Sequence, residues 1–211
     1  MDILKLYAEY KKVPLKGKIY VVRHGQTEWN VEGRMQGWLD SSLTEVGRQQ
    51  AENAGVFLKD KNIDQIFASP LGRTQQTAKI IQAAINPDVP IILADSIKEG
   101  DVGDFAGKLT KDLTEFFTAR RESIARFMFE PMPGGGESFY DIYLRVAKEL
   151  PKLVLNQKTN LIVTHEGASK SIRSILTGES YETYCEKGKS AKNNNVFEID
   201  LESRQEIVYE L

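Results

Sequence analysis

The stretch IYVVRHGQTEWN, residues 19–30, places Arg23 and His24 directly after a short run of apolar residues. A run of this length that leads to a glycine is typical of a buried strand followed by a loop. We therefore predict a strand over Lys18–Arg23, with His24 just beyond its carboxyl end. The chain has 2 histidines, and the second, His165, also follows an apolar run, so both occupy the same kind of position.

The composition indicates one globular domain. The chain has 211 residues, of which 41% are hydrophobic and 27% charged, and its formal net charge is -2. This length supports a single buried core, and the balanced charge gives no general attraction for nucleic acid. The single cysteine, Cys185, cannot form an internal disulfide, and no stretch approaches the roughly 18 apolar residues that would span a bilayer. We expect a cytoplasmic protein, a monomer or a homodimer, without nucleic-acid or membrane partners.

The first residues are interpreted separately. Residues 1–16 carry Asp2 and scattered charges where a secretory signal would have a basic segment and an unbroken apolar run. Four residues of this segment fall at helical spacing, namely Ile3, Leu6, Tyr7 and Tyr10. The spacing predicts a short packed helix, with a contact between subunits as the alternative. We interpret residues 1–16 as an N-terminal extension and residues 17–211 as the domain.

Short apolar runs then alternate with longer amphipathic segments, a pattern typical of βαβ units around a mostly parallel sheet. The predicted strands are Lys18–Arg23, Asp64–Ala68, Pro90–Ala94 and Asn160–Thr164, followed by Val196–Asp200 and Glu206–Tyr209. The first four runs are mostly apolar, so we expect them to be interior strands of a sheet covered on both faces. The last two are expected to be edge-like.

Helices are predicted between these strands, over Thr44–Lys59, Pro70–Ile85, residues 113–128 and Phe139–Leu150. The second is expected to begin at Pro70 with Ser69 as its N-cap, because proline is favoured in the first turn. The last should be kinked or ended by Pro151. The stretch EPMPGGGES, residues 130–138, is rich in proline and glycine and is predicted to be a loop.

The positions of the two histidines predict a ligand site. In open α/β sheets the ligand crevice lies outside the carboxyl ends of the strands, and His24 and His165 each follow such an end. If the two strands are neighbours, the histidines meet at one edge of the sheet. A neutral imidazole nitrogen is a competent nucleophile toward phosphorus and can form a covalent intermediate.

Other residues near these positions suit a phosphoryl group. Arginine supplies planar, bidentate donors; Arg23 adjoins His24, and Arg73 lies near the start of the second predicted helix. The helix that begins near Gly167 would add backbone N–H groups for an anion. Glu99, in a glycine-rich loop after the third strand, is the candidate acid for the leaving alkoxide. Together these residues indicate phosphoryl transfer, which depends on positioning and charge stabilisation.

Five motifs, in order along the chain, resemble those of the histidine phosphatase superfamily, the phosphoglycerate mutase-like proteins. They are RHGQTEWN continued by QGWLDSSLTEVGRQQA, then SPLGRTQQTA, KEGDVGDFAGK, GGGES and IVTHEG. The motifs run from Ile19 to Leu176 and cover most of the chain. A set of ordered motifs is far more specific than the tripeptide RHG alone.

The resemblance implies a single-domain three-layer α/β/α sandwich with a mostly parallel central sheet and the active site at the carboxyl edge of the strands. It implies that His24 is phosphorylated during turnover of a small phosphate monoester, that Glu99 donates a proton, and that no metal or other cofactor is needed. The rest of the implied phosphate pocket is Arg23, Asn30, Arg73 and His165. Gln36 and Gly167 are further candidate binding residues.

Other interpretations of these residues exist. Histidine is a common metal ligand, so His24 and His165 could bind a metal with nearby carboxylates, although no HxH or HExxH spacing supports this. Loss of activity on chelation would favour that alternative. Five further side chains could contact substrate or serve only in packing or at the surface: Arg34, Gln36, Trp38, Arg120 and Arg121.

The residue after the second histidine departs from the family pattern. The family members resemble one another in having glycine there, whereas Glu166 follows His165 in this chain. An inward carboxylate would repel a phosphate ligand, but at a helix start an outward one is favoured by the helix dipole. We expect Glu166 to point away from the pocket in an active enzyme. A large gain in turnover in Glu166→Gly would indicate the inward orientation.

The loop after Glu99 favours a phosphatase over a mutase. Family mutases resemble one another in following this glutamate with an arginine, a histidine and a tyrosine, and in carrying a longer insert before the GGES-like loop. Here Gly100, Asp101 and Val102 follow, and the insert is short. A mutase must keep water from the phosphohistidine, and little in this chain would build such a lid. A mutase and a non-catalytic protein that binds a phosphorylated ligand are the two alternatives, and the sequence does not identify the ester.

Overall fold

A computed structural model of the protein describes residues 5–6, 8–9, 12–186 and 190–211. Its centre is a sheet of 6 strands in the order β3-β2-β4-β1-β5-β6. The strands are β1 (Lys18–Arg23), β2 (Gln65–Ala68), β3 (Ile91–Leu93), β4 (Asn160–Thr164), β5 (Asn195–Asp200) and β6 (Glu206–Glu210). The pairs among β1 to β4 are parallel, whereas β5 runs antiparallel to both β1 and β6.

Residues 5–6 and 8–9 are helical. The further helices of the described residues are α1 (Glu28–Glu32), α2 (Glu45–Leu58), α3 (Gly72–Ile85), α4 (Thr114–Arg121), α5 (Ile124–Phe129), α6 (Phe139–Val154), α7 (Glu166–Thr177) and α8 (Tyr181–Glu186). Short 3-10 segments occur at Asp95–Ile97, Gly103–Phe105 and Thr110–Leu113. The stretch over residues 130–138 is a loop that ends at Ser138, the N-cap of α6, as predicted.

Alternate side chains of the central strands pack against opposite helical layers. In β1, Ile19 and Val21 lie in a core formed with α6 and α7. Tyr20 and Val22 face the other way, into a core formed with α2 and α3. Because strand side chains alternate between faces, a strand buried on both sides must be apolar throughout, and this explains the unbroken apolar run in β1. The result is a single-domain α/β/α sandwich, as expected.

The predicted arrangement of the outer strands is wrong in two places. β3 is an edge strand that pairs only with β2 within the described sheet, and Leu93 is 52% exposed. Its apolar sequence was expected to indicate an interior strand, but a three-residue strand at an edge leaves part of its apolar surface uncovered. Conversely, β5 is an interior strand between β1 and β6, and five of its six residues are buried.

The helix boundaries require three corrections. α3 begins at Gly72 rather than Pro70, because the backbone is still extended at Leu71, which is the N-cap. α6 continues past Pro151 to Val154, since burial of its last turn outweighs the backbone hydrogen bond that proline removes. The predicted segment over residues 113–128 is divided into α4 and α5, and Ser123 caps the second of them.

The predicted N-terminal helix falls mainly outside the described residues, since Ile3, Tyr7 and Tyr10 are not among them. Of the described residues, Leu6 is exposed and Ala8 packs against the core on the α6–α7 face. The division at residue 16 stays a prediction. Within the described ranges, no helix is long and apolar enough to cross a membrane.

Candidate active site

The carboxyl ends of β1 and β4 bring the two histidines together. The two strands are parallel neighbours, with Arg23 opposite Thr164, and the His24 N–H donates to the Thr164 carbonyl oxygen at 2.9 Å. The rings of His24 and His165 lie with their centroids 5.2 Å apart. Gly25 follows because a Cβ there would lie 2.2 Å from the backbone oxygen of Gly47, at the start of α2.

His24 is a buried, neutral imidazole of defined tautomer. Its Nδ1 lies 2.8 Å from the Gly25 carbonyl oxygen, which can only accept, so Nδ1 carries the proton and Nε2 carries the lone pair. Burial holds the pKa of His24 well below its ordinary value of 6.5, and the positive charges of Arg23 and Arg73 lower it further. At neutral pH this side chain therefore offers an unprotonated nitrogen among positive charges.

His165 lies behind His24 and is fully buried. Its Nε2 is 2.8 Å from the Ser69 hydroxyl, whose oxygen also accepts a hydrogen bond from the Leu71 N–H at 3.4 Å. Burial, followed by the positive charge of Arg73, holds the pKa of His165 well below 6.5. If Ser69 donates to Nε2, the proton resides on Nδ1, which is buried without a hydrogen-bond partner among the described residues.

Arg73 enters the site from the first turn of α3 and is anchored by the loop before it. Its Nη1 donates to the Leu39 carbonyl and the Asp40 carboxylate, both at 2.7 Å, and its Nη2 to the Gly37 carbonyl at 2.8 Å. Asp40 also accepts from the Gly72 N–H at 2.6 Å, so one carboxylate both caps the helix and orients the arginine. The Arg73 Nε is buried without a partner among the described residues.

Arg23 lies on the other side of His24. Its Nη1 donates to the Ala191 carbonyl at 3.0 Å and to the Glu166 carboxylate at 2.8 Å. Like that of Arg73, its Nε is buried without a partner in the described part of the chain. The two buried Nε–H groups lie next to a neutral histidine. Because a buried donor without a partner costs free energy, an oxyanion that accepts from both would stabilise the site.

Glu99 is fixed on the opposite wall of the site. Its Oε1 accepts from the Gly100 N–H at 3.0 Å and from the Gly167 N–H, at the start of α7, at 3.1 Å. Its backbone carbonyl accepts from the Trp38 Nε1 at 2.8 Å. The Gly167 N–H, which was predicted to bind an anion directly, is thus used to orient this carboxylate.

Asn30 and Gln36 occupy the loop side of the site. The Asn30 Oδ1 accepts from the Thr27 N–H at 3.1 Å in a capping box of α1, which leaves its Nδ2 as a donor. The Gln36 Nε2 donates to the Thr27 hydroxyl at 2.9 Å, and its Oε1 accepts from Ser41 at 3.4 Å. Gln36 therefore braces the loop with both ends of its amide.

These side chains surround a cavity of about 330 Å³. Of the predicted site residues, those that line it are Arg23, His24, Asn30, Gln36, Arg73, Glu99 and Gly167. His165 is brought into contact with His24 but lies behind the cavity wall. Three further residues complete the site, namely Asp40, Ser69 and Arg145. Each forms a hydrogen bond to a site residue that is distant in the sequence, so a local motif could not predict the contact.

The expected outward orientation of Glu166 is wrong. Its side chain lines the cavity and pairs with Arg23, and its other oxygen lies 3.1 Å from the Lys170 Nζ and 2.8 Å from the Ser190 hydroxyl. Two cations at the cavity rim, Arg23 and Lys170, therefore hold the carboxylate there.

The remaining candidates divide between packing and the cavity. Arg34 lines the cavity, where its Nη1 donates to the Gly107 carbonyl at 2.8 Å. Trp38 is exposed, and its indole N–H donates a hydrogen bond to the Glu99 carbonyl. Arg120 is buried and donates to the carbonyls of Phe127 and Pro131, which is a packing role, whereas Arg121 lines a neighbouring cavity. Among the described residues, no group of three or more His, Cys, Asp or Glu side chains could hold a metal ion.

The two buried histidines predict a steep loss of stability in mild acid. Their folded pKa values lie below the unfolded value of 6.5, so the unfolded chain binds more protons as the pH falls. The stabilisation is complete above pH 6.5, and we expect the unfolding free energy to fall by up to about 2.7 kcal/mol per pH unit below that value, from two groups at about 1.36 kcal/mol each.

Denaturant titrations between about pH 6.5 and 5.5 measure this slope. His24→Asn should reduce it by about half, because one of the two titrating groups is then absent. An unchanged slope in this variant would mean that His24 is protonated in the folded protein.

Glu166→Gln is expected to strengthen the binding of inorganic phosphate, measured as its inhibition constant, by about fivefold. The change removes a negative charge beside Arg23 while keeping the shape of the side chain, and charge interactions of this kind are worth about 1 kcal/mol near a partly exposed site. The gain should shrink in high salt. Weaker phosphate binding would show that orientation of Arg23 by Glu166 outweighs the charge repulsion.

Arg145 is a positioning residue for the Glu99 loop. From α6 it donates to the carbonyls of Ser96 at 2.8 Å and Glu99 at 3.3 Å, and it holds the Glu137 carboxylate with two bonds of 2.9 Å. We expect Arg145→Met to lower kcat by about 10- to 100-fold, since small displacements of a catalytic group have effects of this size.

The inhibition constant of inorganic phosphate should change little in Arg145→Met, because Arg145 acts on Glu99 and not on the arginines. Lys148→Ala, an exposed position of the same helix, is the matched control. A parallel loss of phosphate binding and kcat in Arg145→Met would indicate general damage to the fold instead.

A histidine pair flanked by two arginines at the carboxyl edge of a parallel sheet is typical of α/β proteins that handle phosphate esters. Residues 19–208 match the histidine phosphatase superfamily (branch 1). The chain belongs to this family, which confirms the resemblance in the sequence motifs.

Individual relatives include both mutases and phosphatases. The chain is 34% identical over 172 residues to a 2,3-bisphosphoglycerate-dependent phosphoglycerate mutase of Methylobacterium sp. (strain 4-46), covering 78% of this chain and 83% of the relative. It is also 34% identical over 200 residues to phosphoserine phosphatase 1 of Hydrogenobacter thermophilus, covering 92% and 91%. A solved mycobacterial glucosyl-3-phosphoglycerate phosphatase in complex with VO3 superposes with a TM-score of 0.77 at 25% identity, covering 92% of this chain and 97% of that chain.

Proposed function

We propose that the protein is a metal-independent phosphatase that hydrolyses small phosphate monoesters through a phosphohistidine on His24. The observation that carries the proposal is the hydrogen bond from Nδ1 to the Gly25 carbonyl, which leaves the Nε2 lone pair of a neutral imidazole at the cavity. A nucleophile must be unprotonated, and both burial and the neighbouring arginines favour that form.

In the first step Nε2 of His24 attacks phosphorus, and the bond from phosphorus to the ester oxygen breaks. Glu99 gives its proton to that oxygen, and the alcohol leaves. In the second step the Glu99 carboxylate takes a proton from a water molecule, which attacks the phosphohistidine and releases inorganic phosphate and the imidazole. The second step restores the His24 imidazole and the Glu99 proton that the first step consumed, so water is the co-reactant of the full cycle.

The donors around His24 support this chemistry. Arg23 Nε, Arg73 Nε and His165 Nδ1 are buried polar atoms without hydrogen-bond partners among the described residues. Arg23, Arg73 and Asn30 line the cavity, so the two guanidinium groups and the amide can donate to the equatorial phosphoryl oxygens, whereas His165 lies behind them. Donors fixed in advance stabilise the charge that develops on these oxygens without having to reorganise during the reaction.

Two observations favour a phosphatase over a mutase. The residues after Glu99, which line the cavity as Gly100, Asp101 and Val102, supply no cation for the carboxylate of a phosphoglycerate. In addition, the relatives include a phosphatase, that of Hydrogenobacter thermophilus, which matches 92% of this chain. A mutase is the second candidate, because the Methylobacterium mutase has the same identity, 34%, in the aligned residues.

The test is phosphate release from a panel of monoesters, with phosphoserine and 3-phosphoglycerate included and EDTA present throughout. We expect release that EDTA does not diminish, and an acid-labile phosphoenzyme that peptide mass spectrometry locates on His24 after rapid alkaline quenching. Isomerisation of 3-phosphoglycerate without phosphate release would favour the mutase. Phosphate-ester binding without either reaction would favour a non-catalytic protein, and loss of activity with EDTA would contradict the metal-independent mechanism.

A further inference from the structure

A second cavity adjoins the catalytic cavity. A cavity of about 540 Å³ lies between α4, α5 and α8 and shares three lining residues with the catalytic cavity, namely Phe117, Phe139 and Lys170. Only the side chains of these residues separate the two spaces. A ligand whose phosphate lies at His24 can therefore reach Phe117 and Phe139, which line the catalytic cavity.

The wall that such a ligand would meet is apolar. Away from the phosphate-binding side chains, the apolar side chains that line the catalytic cavity are Met35, Val102, Phe117, Met132, Phe139 and Ile142. The aromatic rings are fixed in place: Phe117 packs edge-on against Phe116 with centroids 5.3 Å apart, and Phe139 lies 4.8 Å from Phe127. A preformed apolar wall binds an apolar group without first having to be ordered.

The charges on this wall disfavour a second anionic group. Among the described residues that line the catalytic cavity, the cationic side chains other than Arg23 and Arg73 are Arg34 and Lys170. Each is already paired with a carboxylate, Arg34 with Glu32 and Lys170 with Glu166. The wall also carries Asp101, so a substrate carboxylate would be desolvated beside a like charge.

We propose that the leaving group of the natural substrate is an uncharged apolar alcohol, an alkyl or aryl chain that extends from the phosphate along this wall. The inference rests on the proposed phosphatase activity for turnover, but the apolar wall predicts binding whether or not the ester is hydrolysed. Small carboxylated esters, such as phosphoserine and 3-phosphoglycerate, are then poor substrates of this site.

The first measurement is kcat/KM for primary alkyl phosphates from ethyl to octyl phosphate. Their leaving alcohols have closely similar pKa values, so chain length changes contact with the wall and not the chemistry. We expect kcat/KM to rise about threefold per methylene, close to the value for full burial of a methylene group, until the chain outgrows the wall. Butyl phosphate should exceed 3-phosphoglycerate by more than about tenfold on the same scale.

In Phe117→Ala, kcat/KM should rise much less with chain length. Phe117→Leu, which keeps an apolar side chain at this position, should keep most of the rise. The matched control is Phe129→Ala, an exposed phenylalanine of α5 that lines neither cavity, and it should keep the full dependence.

The second measurement separates this inference from the proposed function. Alkylphosphonates of increasing length cannot be hydrolysed, and their dissociation constants, measured by calorimetry, should fall by about threefold per methylene as well. Hydrolysis with no length dependence in either series would overturn the apolar leaving group and leave the phosphatase intact. Length-dependent phosphonate binding without hydrolysis of any ester would overturn the phosphatase and support the apolar wall. If a phosphonate with a terminal carboxylate bound more tightly than the methyl-ended phosphonate of equal length, the proposal of an uncharged leaving group would be wrong.

Discussion

His24→Ala is expected to lower kcat for monoester hydrolysis by about 10⁴- to 10⁶-fold, the range found when a catalytic nucleophile is removed. In the proposed mechanism, His165 cannot replace His24, since it lies behind His24 with its Nε2 engaged by Ser69. The phosphate group should still bind, because Arg23 and Arg73 are anchored by other contacts. Phosphate inhibition should therefore change by less than about tenfold, which separates loss of chemistry from loss of binding.

Steady-state kinetics, phosphate inhibition and thermal unfolding of the same preparation test this prediction. His24→Asn is the companion variant, since it keeps a polar side chain at the buried position. Neither variant should accumulate a phosphoenzyme. If His24→Ala retained activity within about 100-fold of the wild type, water and not this imidazole would be the attacking group.

The sequence predicts the centre of the fold well because local pattern and burial agree there. β1 and β4 have the predicted bounds, since both are short apolar runs buried on two faces. β3 shows the limit: Ile92 and Leu93 have the same apolar character but lie exposed at the sheet edge. Hydrophobicity reports that a segment can be buried, whereas strand order decides whether it is.

The candidate site was predictable as far as its motifs extend. Each predicted residue lies at a strand end, a helix start or a loop that the topology gathers at one edge of the sheet. The residues that orient them could not be found in this way. Asp40 stands 33 residues before Arg73, and Ser69 stands 96 residues before His165, so each pairing depends on the completed fold.

Glu166 illustrates why even a local rule can fail. The helix dipole stabilises a carboxylate at the first turn without fixing its rotamer, and an outward side chain would satisfy it equally well. The inward orientation follows from Arg23 on a neighbouring strand and Lys170 one turn along the helix. Arg23 and Arg73 are each paired with a carboxylate, but Arg73 is anchored through both terminal nitrogens and is thus a preorganised donor at the phosphate site.

Arg73→Lys is accordingly expected to lower kcat/KM by about 10³-fold, a loss typical of removing a preorganised donor to a developing oxyanion. A lysine keeps the charge but cannot donate in a planar fork, so it cannot satisfy Gly37, Leu39 and Asp40 while also reaching the phosphate. Because Arg73 is 1% exposed, the change also leaves buried acceptors unpaired, and we expect it to cost about 1–3 kcal/mol of stability.

Kinetics with added guanidinium ion distinguish the catalytic from the structural contribution. In Arg73→Ala the cavity left by the side chain should admit free guanidinium, and activity should recover in a saturable manner, whereas a variant that has only lost stability would not respond. Arg126→Lys, at an exposed arginine of α5, is the matched control and should retain full activity. A loss below about tenfold in Arg73→Lys would mean that a point charge suffices at this position and that bidentate recognition plays no part in stabilising the transition state.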